Sequence, residues 1–148
     1  MLRFENTKLE LTSTIRLLAD FDTVFTPRIS NQVDVDSYAK KLSTNGHFIL
    51  AISTDDNSIE GFITYYLNTE GHFAYVPFIG VKPSCQHGGV GRCMIEELIS
   101  VLSIDYTSIM LEVRKSNTKA HDFYLRNGFV EKEDRINKWL MSKEINNR

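Results

Sequence analysis

Three glycines stand close together in the segment Gln86–Arg92, whose sequence is Gln-His-Gly-Gly-Val-Gly-Arg. Glycine allows the backbone to approach an anion closely and to adopt φ angles that other residues avoid. A helix that begins in this segment adds unpaired N–H groups and the positive end of its dipole. Arg92, and His87 when it is protonated, add positive charge. The segment therefore predicts a phosphate-binding loop, and its candidate ligands are Gln86, His87, Gly88, Gly89, Val90, Gly91 and Arg92.

Two other phosphate motifs do not fit this loop. A Walker loop requires Gly-Lys-Ser/Thr, whereas this chain has Gly91-Arg92-Cys93. The dinucleotide fingerprint G-x-G-x-x-G requires a glycine where Met94 stands. A plain helix entry with a flexible glycine turn remains the structural alternative.

The elements that must position this loop follow from the apolar periodicity of the chain. Strands are predicted at 2–5, 47–52, 58–67, 73–81, 108–113, 129–133 and 138–143. Helices are predicted at about 9–19, after a cap at Asp34, after the glycine loop, and at 118–126, where Asn127-Gly128 ends the last one. The segment Phe21–Val33 has no clear period and is predicted to be a loop. The expected fold is α/β (α+β), with a mixed, mostly antiparallel sheet of about seven strands flanked by about four helices.

Length and composition narrow the class of protein. The chain has 148 residues, which is the size of one domain spanning 1–148, and 42% of them are hydrophobic. The net charge is −2 and the basic residues are scattered, so nucleic acid is not the expected partner. Cys85 and Cys93 match no zinc spacing and form no disulfide framework, so we expect free thiols and no metal. With neither a signal peptide nor a membrane span, a cytoplasmic location is expected.

Two motifs together resemble one family. Gln86-x-x-Gly89-x-Gly91 resembles the Q/R-x-x-G-x-G/A signature of the GNAT superfamily of N-acetyltransferases. Asn117, Ala120, Phe123-Tyr124 and Gly128-Phe129 have the spacing of that family's N-x-x-A-x-x-F-Y-x-x-x-G-F segment. The matching stretch extends from about Tyr75 to Val130, and the elements that precede it agree with the family only in their order.

The resemblance implies that acetyl-CoA is the acyl donor and that its pyrophosphate binds the backbone of residues 86–92. Its pantetheine arm would pair with the backbone of Ile79 and Val81, where a bulge separates 75–81 from 110–113. Pro77 fits a bulge or an edge independently, because it has no N–H group to donate. Asn117 and Tyr124 complete the cofactor residues that the resemblance implies.

Acyl transfer to an amine needs a neutral amine, a polarised carbonyl and a protonated leaving sulfur. The resemblance implies that Tyr124 is the general acid. The pKa of a phenol is about 10 and that of a thiol about 8.5, so this transfer is uphill unless the site lowers the first or raises the second. The alternative is that Tyr124 is a core aromatic residue of an amphipathic helix.

The general base is less well defined, because many relatives have a glutamate on the strand that leads to the glycine loop and this chain has none. Three candidates remain: Glu112 on the neighbouring strand, His72 or Tyr75 acting through water, and a substrate amine that arrives neutral. A structural Glu112 that faces a backbone group or an arginine is the alternative to the first candidate.

Other side chains are weaker candidates. Tyr65 and Tyr66 are candidates for an acceptor pocket, with packing as the alternative. Arg28 could recognise an acidic acceptor group, with surface solvation as the alternative. His121 is expected to face solvent.

The resemblance favours transfer of acetyl to a primary amine of a small metabolite, such as an amino sugar or an amino acid. Acetylation of a protein N-terminus or lysine is one alternative. A CoA-binding module without turnover is another, motivated by the missing strand carboxylate. Relatives often form dimers, so a homodimer is also expected.

Overall fold

The strands of the sheet have bounds close to the predicted ones. The computed structural model describes residues 1–25, 27–86 and 88–145. The strands are β1 (Leu2–Thr7), β2 (His47–Ser53), β3 (Ile59–Asn68), β4 (Phe73–Val81), β5 (Ser108–Arg114), β6 (Val130–Asp134) and β7 (Lys138–Glu144). The helices within these residues are α1 (Leu11–Asp20), α2 (Ile29–Gln32), α3 (Val35–Asn45), α4 (Val90–Val101) and α5 (Thr118–Arg126).

Seven strands form one mixed sheet in the order β1-β2-β3-β4-β5-β7-β6. The pairs β1/β2, β2/β3, β5/β7 and β6/β7 are antiparallel. β4 and β5 are parallel, with Phe73–Tyr75 paired to Ser108–Met110. A parallel pair needs a long crossover, and here the connection contains α4. The predicted mixed, mostly antiparallel sheet is confirmed.

The contacts of the chain divide it into two compact units. The first contains Met1–Tyr65 and Phe78–Val101, and the second contains Tyr66–Pro77 and the chain from Leu102 onward. The prediction of a single domain spanning 1–148 stays a prediction.

An aromatic cluster forms part of the core of the first unit. Phe21 meets Phe62 edge to face, with ring centroids 4.9 Å apart. Phe78 is contacted by Phe25 at 5.1 Å and by Tyr38 of α3 at 5.5 Å. These ring contacts pack β3 and β4 against Phe21, Phe25 and Tyr38, and they stabilise the strand that leads into the glycine loop.

The second unit packs α5 against β5, on a sheet whose neighbouring strands carry buried apolar side chains. Ile109, Leu111, Met141 and Phe129 are each at most 3% exposed. The ring of Phe129 lies 5.6 Å from that of Tyr124. α5 therefore contacts β5 of the sheet, and its residue Tyr124 contacts Phe129, which follows shortly after the end of the helix.

The predicted cap at Asp34 and the predicted helix end at Asn127-Gly128 are observed, and Asn117 is a further cap. Asp34 accepts a hydrogen bond from the Ser37 N–H at 3.5 Å, which caps α3. Asn117 accepts one from the Ala120 N–H at 3.1 Å, which caps α5. At the other end of α5, Gly128 has a φ of 89°. The Phe129 N–H can then donate to the Tyr124 carbonyl at 3.0 Å, which satisfies one of the last carbonyls.

One prediction about the elements is wrong. The segment Phe21–Val33 is not wholly a loop, because it contains a 3-10 turn at Asp22–Val24 and the helix α2. The Asp22 carboxylate accepts from the backbone N–H of Ser30 at 2.8 Å and from its hydroxyl at 3.0 Å. Ile29 is fully buried and anchors the turn. Elements of three and four residues are too short to show a period, so the sequence pattern could not reveal them.

Candidate active site

The glycine loop joins β4 to α4 in the first unit. After Val81 the chain makes a 3-10 turn at Pro83–Cys85, and α4 begins at Val90. The Cys93 N–H donates to the Gly89 carbonyl at 3.0 Å, which is the first bond of the helical ladder. The N–H groups of Val90, Gly91 and Arg92 precede that bond, and such groups have no intrahelical acceptor. They form the kind of helix N-terminus that binds anions.

The backbone conformation at Gly89 favours glycine. Its φ is +76°, a left-handed conformation that L side chains rarely adopt. A Cβ placed on Gly89 would have no described atom within 4 Å, so the space above this residue is open. The backbone at Gly89 therefore lies beside open space, which leaves room for an incoming phosphate.

The side chain of Gln86 fixes the start of the loop. Its Nε2 donates to the carbonyl of Val81 at 3.1 Å, which links the loop to the end of β4. Val81 and Ile79 are half-buried, and their predicted pairing with pantetheine stays a prediction. His87 lies outside the described residues. Gly88 and Arg92 are exposed, whereas Gly91 is buried.

Tyr124 lies in α5 of the second unit and is 8% exposed. Its ring contacts those of Phe123 at 5.5 Å and Phe129 at 5.6 Å, as the core alternative predicts. Burial raises the pKa of the Tyr124 hydroxyl above its ordinary value. The phenol is therefore a neutral hydrogen-bond donor that retains its proton, and its environment makes complete transfer to a thiolate harder.

Glu112 of β5 has three partners in the second unit. The Tyr75 hydroxyl donates to Oε1 at 3.4 Å, and Arg135 Nη1 donates to Oε2 at 2.9 Å. Lys138 Nζ lies 3.9 Å from Oε1. Burial, and then the neighbouring Glu112 carboxylate, raise the pKa of Tyr75 to about 12. Glu112 therefore has the arginine partner that its structural alternative predicts, and the Tyr75 hydroxyl remains protonated beside the Glu112 carboxylate.

The turn between β6 and β7 brings Arg135 to Glu112. The Ile136 N–H donates to the Asp134 carboxylate at 2.9 Å, and the Arg135 N–H donates to the Lys138 carbonyl at 2.9 Å. Ile136 has a φ of 70°, which is unusual for a β-branched residue and costs on the order of 1–3 kcal/mol. Sequence reasoning missed Arg135, because only the register of β5 against β7, with Glu112 opposite Leu140, places this turn beside the carboxylate.

The two candidate histidines have different surroundings. His72 is exposed in the turn before β4, with a φ of 59°, and its carbonyl accepts from the Thr107 N–H at 2.8 Å. It therefore lies before the strand and not on it. The prediction that His121 faces solvent is wrong, because its side chain is only 20% exposed. Its Nε2 lies 2.6 Å from the Glu131 carboxylate, and its ring stacks on Trp139.

The two neighbouring tyrosines have different surroundings. Tyr65 is 3% exposed and donates its hydroxyl to Asn6 at 2.7 Å, which supports the packing alternative. Tyr66 lines an open cavity of about 510 Å³ in the second unit, together with residues 67–70, Phe73 and Tyr75. Arg28 is exposed at the start of α2.

Comparison with known proteins decides the family. A model of the acetyltransferase (GNAT) family matches residues 14–129. The chain belongs to the GNAT acetyltransferase family. It is therefore an acetyl-CoA-dependent N-acetyltransferase, and the predicted family, enzyme class and acyl donor are confirmed.

Solved structures share the fold of this GNAT enzyme at low sequence identity. A GNAT-family protein from Desulfovibrio desulfuricans has a TM-score of 0.77 and 18% identity, over 98% of this chain and 99% of that one. The PaiA N-acetyltransferase of Thermoplasma acidophilum, in complex with coenzyme A, has a TM-score of 0.71 and 17% identity over 96% and 99%. A chimera of the Vibrio cholerae spermidine N-acetyltransferase SpeG has a TM-score of 0.74 and 17% identity over 98% and 99%. Among curated proteins, none matches this chain.

Neither a metal-binding cluster nor a membrane-spanning helix is present in the described residues of the GNAT chain. No group of three or more His, Cys, Asp or Glu side chains in residues 1–25, 27–86 and 88–145 is arranged to hold a metal ion. In the same part of the chain, each helix is too short or too polar to cross a bilayer.

Proposed function

We propose that this enzyme transfers the acetyl group of acetyl-CoA to a primary amine of a small metabolite, by direct attack of the amine on the thioester. The observation that carries this proposal is the Glu112 carboxylate, which is held by Arg135 and by the Tyr75 hydroxyl. Tyr75 stands on the strand where many relatives have a catalytic glutamate. Glu112 supplies the carboxylate from the next strand, so the missing strand glutamate does not imply an inactive protein.

We assign the pyrophosphate of acetyl-CoA to the backbone N–H groups of the loop, from Gln86 to Arg92. The left-handed Gly89 and the open space above it support this assignment. We assign the pantetheine arm to the backbone of Ile79 and Val81. Asn117 supports the cofactor site by holding the first turn of α5, the helix that carries Tyr124.

The reaction needs two proton movements. The amine nitrogen loses a proton, its C–N bond to the acetyl carbon forms, the C–S bond breaks, and the sulfur gains a proton. We assign the first movement to Glu112, which accepts the amine proton through the Tyr75 hydroxyl: Tyr75 donates its proton to the carboxylate and receives one from the amine. Arg135 holds the carboxylate in the orientation that accepts from Tyr75.

Tyr124 is assigned to the leaving sulfur. Because burial raises the pKa of this phenol, it donates a hydrogen bond to the developing thiolate but does not lose its proton to it. A thiol has a pKa of about 8.5, so the released thiolate takes its proton from solvent near neutral pH. Tyr124 in this assignment stabilises charge in the transition state, and the phenol needs no reprotonation between turnovers.

A metabolite acceptor is supported by the weakly acidic chain and by the cavity beside Tyr75. A neighbour of the same fold that is named a spermidine N-acetyltransferase supports a small amine as the acceptor. Cys85 and Cys93 are free thiols, which agrees with an enzyme of the reducing cytoplasm, and we propose that location and a homodimer as the family expectation.

The test begins with the melting temperature of the protein. Acetyl-CoA at saturating concentration should raise it, because a ligand that binds only the native state stabilises that state. The acetyl thioester of N-acetylcysteamine has the same thioester without the pyrophosphate, so it should raise the melting temperature little. A panel of amines and a thiol reagent then measure CoA release. Faster release with peptides than with every small amine would replace the metabolite proposal by a protein acetyltransferase.

A further inference from the structure

The cavity of about 510 Å³ in the second unit has one charged residue in the described part of its lining, and that residue is acidic. The lining includes three aromatic residues, Tyr66, Phe73 and Tyr75, and one acidic residue, Glu70. The other lining residues are Leu67, Asn68 and Thr69. Lysine and arginine are absent from the lining among the residues that the structure describes.

The carboxylate of Glu70 is available to a ligand. Glu70 is exposed in the turn between β3 and β4. No ion pair or hydrogen bond of its side chain is formed with the described residues, whereas the nearby Asn68 side chain is occupied by the Gly71 N–H at 2.7 Å. An unpaired carboxylate attracts a cation through its charge, and an aromatic residue adds to that attraction where its ring face meets the cation. The same groups repel a carboxylate.

Tyr75 connects the cavity to the proposed base. Its ring lines the cavity, and its hydroxyl donates to Glu112 at 3.4 Å. A molecule in the cavity therefore lies against the phenol that leads to the Glu112 carboxylate. The charge of Glu112 is offset by Arg135 and Lys138, so Glu70 is the carboxylate in the lining that is left to bind a cation.

We propose that this cavity is the acceptor site and that it takes a small diamine: one amine is presented at Tyr75 for acetylation, and a second cationic group binds Glu70. This inference rests on the proposed function and narrows its acceptor class. It predicts that free amino acids are poor acceptors, because the described lining of the cavity contains the Glu70 carboxylate and no lysine or arginine to pair with the carboxylate of an amino acid. It also assigns to Glu70 a role in acceptor recognition.

Three acceptors with the same five-carbon chain test the proposal. Cadaverine has two amines, pentylamine lacks the second one, and L-lysine adds a carboxylate to the cadaverine skeleton. Steady-state CoA release at saturating acetyl-CoA should give the highest kcat/KM with cadaverine. The kcat/KM of lysine should be lower by at least about tenfold, which corresponds to about 1.4 kcal/mol.

The variant Glu70→Gln removes the charge and retains the shape of the side chain. It should raise the KM of cadaverine by about fivefold, the scale of an exposed ion pair, and change the KM of pentylamine much less. Asp105→Asn is the matched control, because Asp105 is also an exposed turn carboxylate of the second unit. That control should leave the KM of all three amines unchanged. Equal use of lysine and cadaverine, or equal effects of the two variants, would overturn the proposal.

A binding measurement separates this inference from the proposed function. Cadaverine should raise the melting temperature of the wild type in the presence of CoA, and raise it less in Glu70→Gln. If no amine releases CoA but this difference is present, the proposed function fails and the cavity remains a diamine site. If amines are acetylated but the difference is absent, the function holds and the assignment of the cavity is wrong.

Discussion

The glycine loop of the first unit uses main-chain groups, whereas the Glu112 cluster of the second unit, formed by Glu112, Tyr75 and Arg135, uses side chains. The loop offers main-chain N–H groups at the start of α4, and Gly89 contributes by having no side chain. The Glu112 cluster consists of side chains from β4, β5 and the β6–β7 turn, each oriented by another. A backbone site depends on conformation and open space, whereas a side-chain site depends on the presence of every partner. Substitutions should therefore affect the two regions in different ways.

The largest effect is expected in the loop. Gly89→Glu places a carboxylate in the open space where the pyrophosphate is proposed to bind, on a residue with a φ of +76°. Acetyl-CoA should then no longer raise the melting temperature. Gly89→Ala introduces the same backbone strain without the charge, so its binding should be intermediate. Tight acetyl-CoA binding by a folded Gly89→Glu protein would mean that the loop is not a phosphate site.

The next effect concerns a side chain alone. Tyr124→Phe removes the hydroxyl from a residue that is 8% exposed and retains the ring contacts. The kcat should fall by about 100-fold, the lower end of the cost of removing one positioned hydrogen-bond donor to a developing anion, while the melting shift with acetyl-CoA is retained. Tyr106→Phe removes a hydroxyl elsewhere in the second unit and should leave kcat unchanged. An unchanged rate in Tyr124→Phe would leave this residue with a packing role only.

A smaller effect distinguishes the proposed base from its positioning residue. Glu112→Gln should lower kcat by about 10- to 100-fold, because the amide cannot accept the amine proton. Arg135→Met removes the partner at 2.9 Å but leaves the carboxylate, so its kcat should fall less. If Glu112 is only structural, both variants should lower the melting temperature and neither should change kcat at saturating amine.

The smallest effect compares the two helix caps. Asn117→Ala and Asp34→Ala each remove a side chain that caps a helix, and each should cost about 1 kcal/mol, or about 3 °C in melting temperature. Only Asn117→Ala should also lower kcat, because α5 carries Tyr124 whereas α3 carries no proposed catalytic residue. Equal kcat values in the two variants would argue against a positioning role for this cap.

The same contrast explains how much the sequence could predict. The sequence correctly predicts that β4 ends at Val81, that a glycine turn containing Gly89 follows, and that α5 ends before Gly128. Turns and helix ends can be predicted because they depend on local backbone preferences. The partnership of Glu112 with Arg135 could not be read locally, since it requires the β5–β7 register and an isoleucine at positive φ. His121 was misjudged for the same reason: Glu131 and Trp139 reach it from two strands that follow in the sequence. The cofactor contacts of Ile79 and Val81 stay predictions.

The raised pKa values of the two phenols have a consequence for kinetics. The pKa of Tyr75 is raised to about 12, and burial raises the pKa of Tyr124 above its ordinary value. Both phenols therefore keep their protons below pH 10. The pH–rate profile should therefore rise toward alkaline pH as the acceptor becomes neutral, and then level off. A descending limb between pH 8 and 10 would have to come from a group other than these two tyrosines.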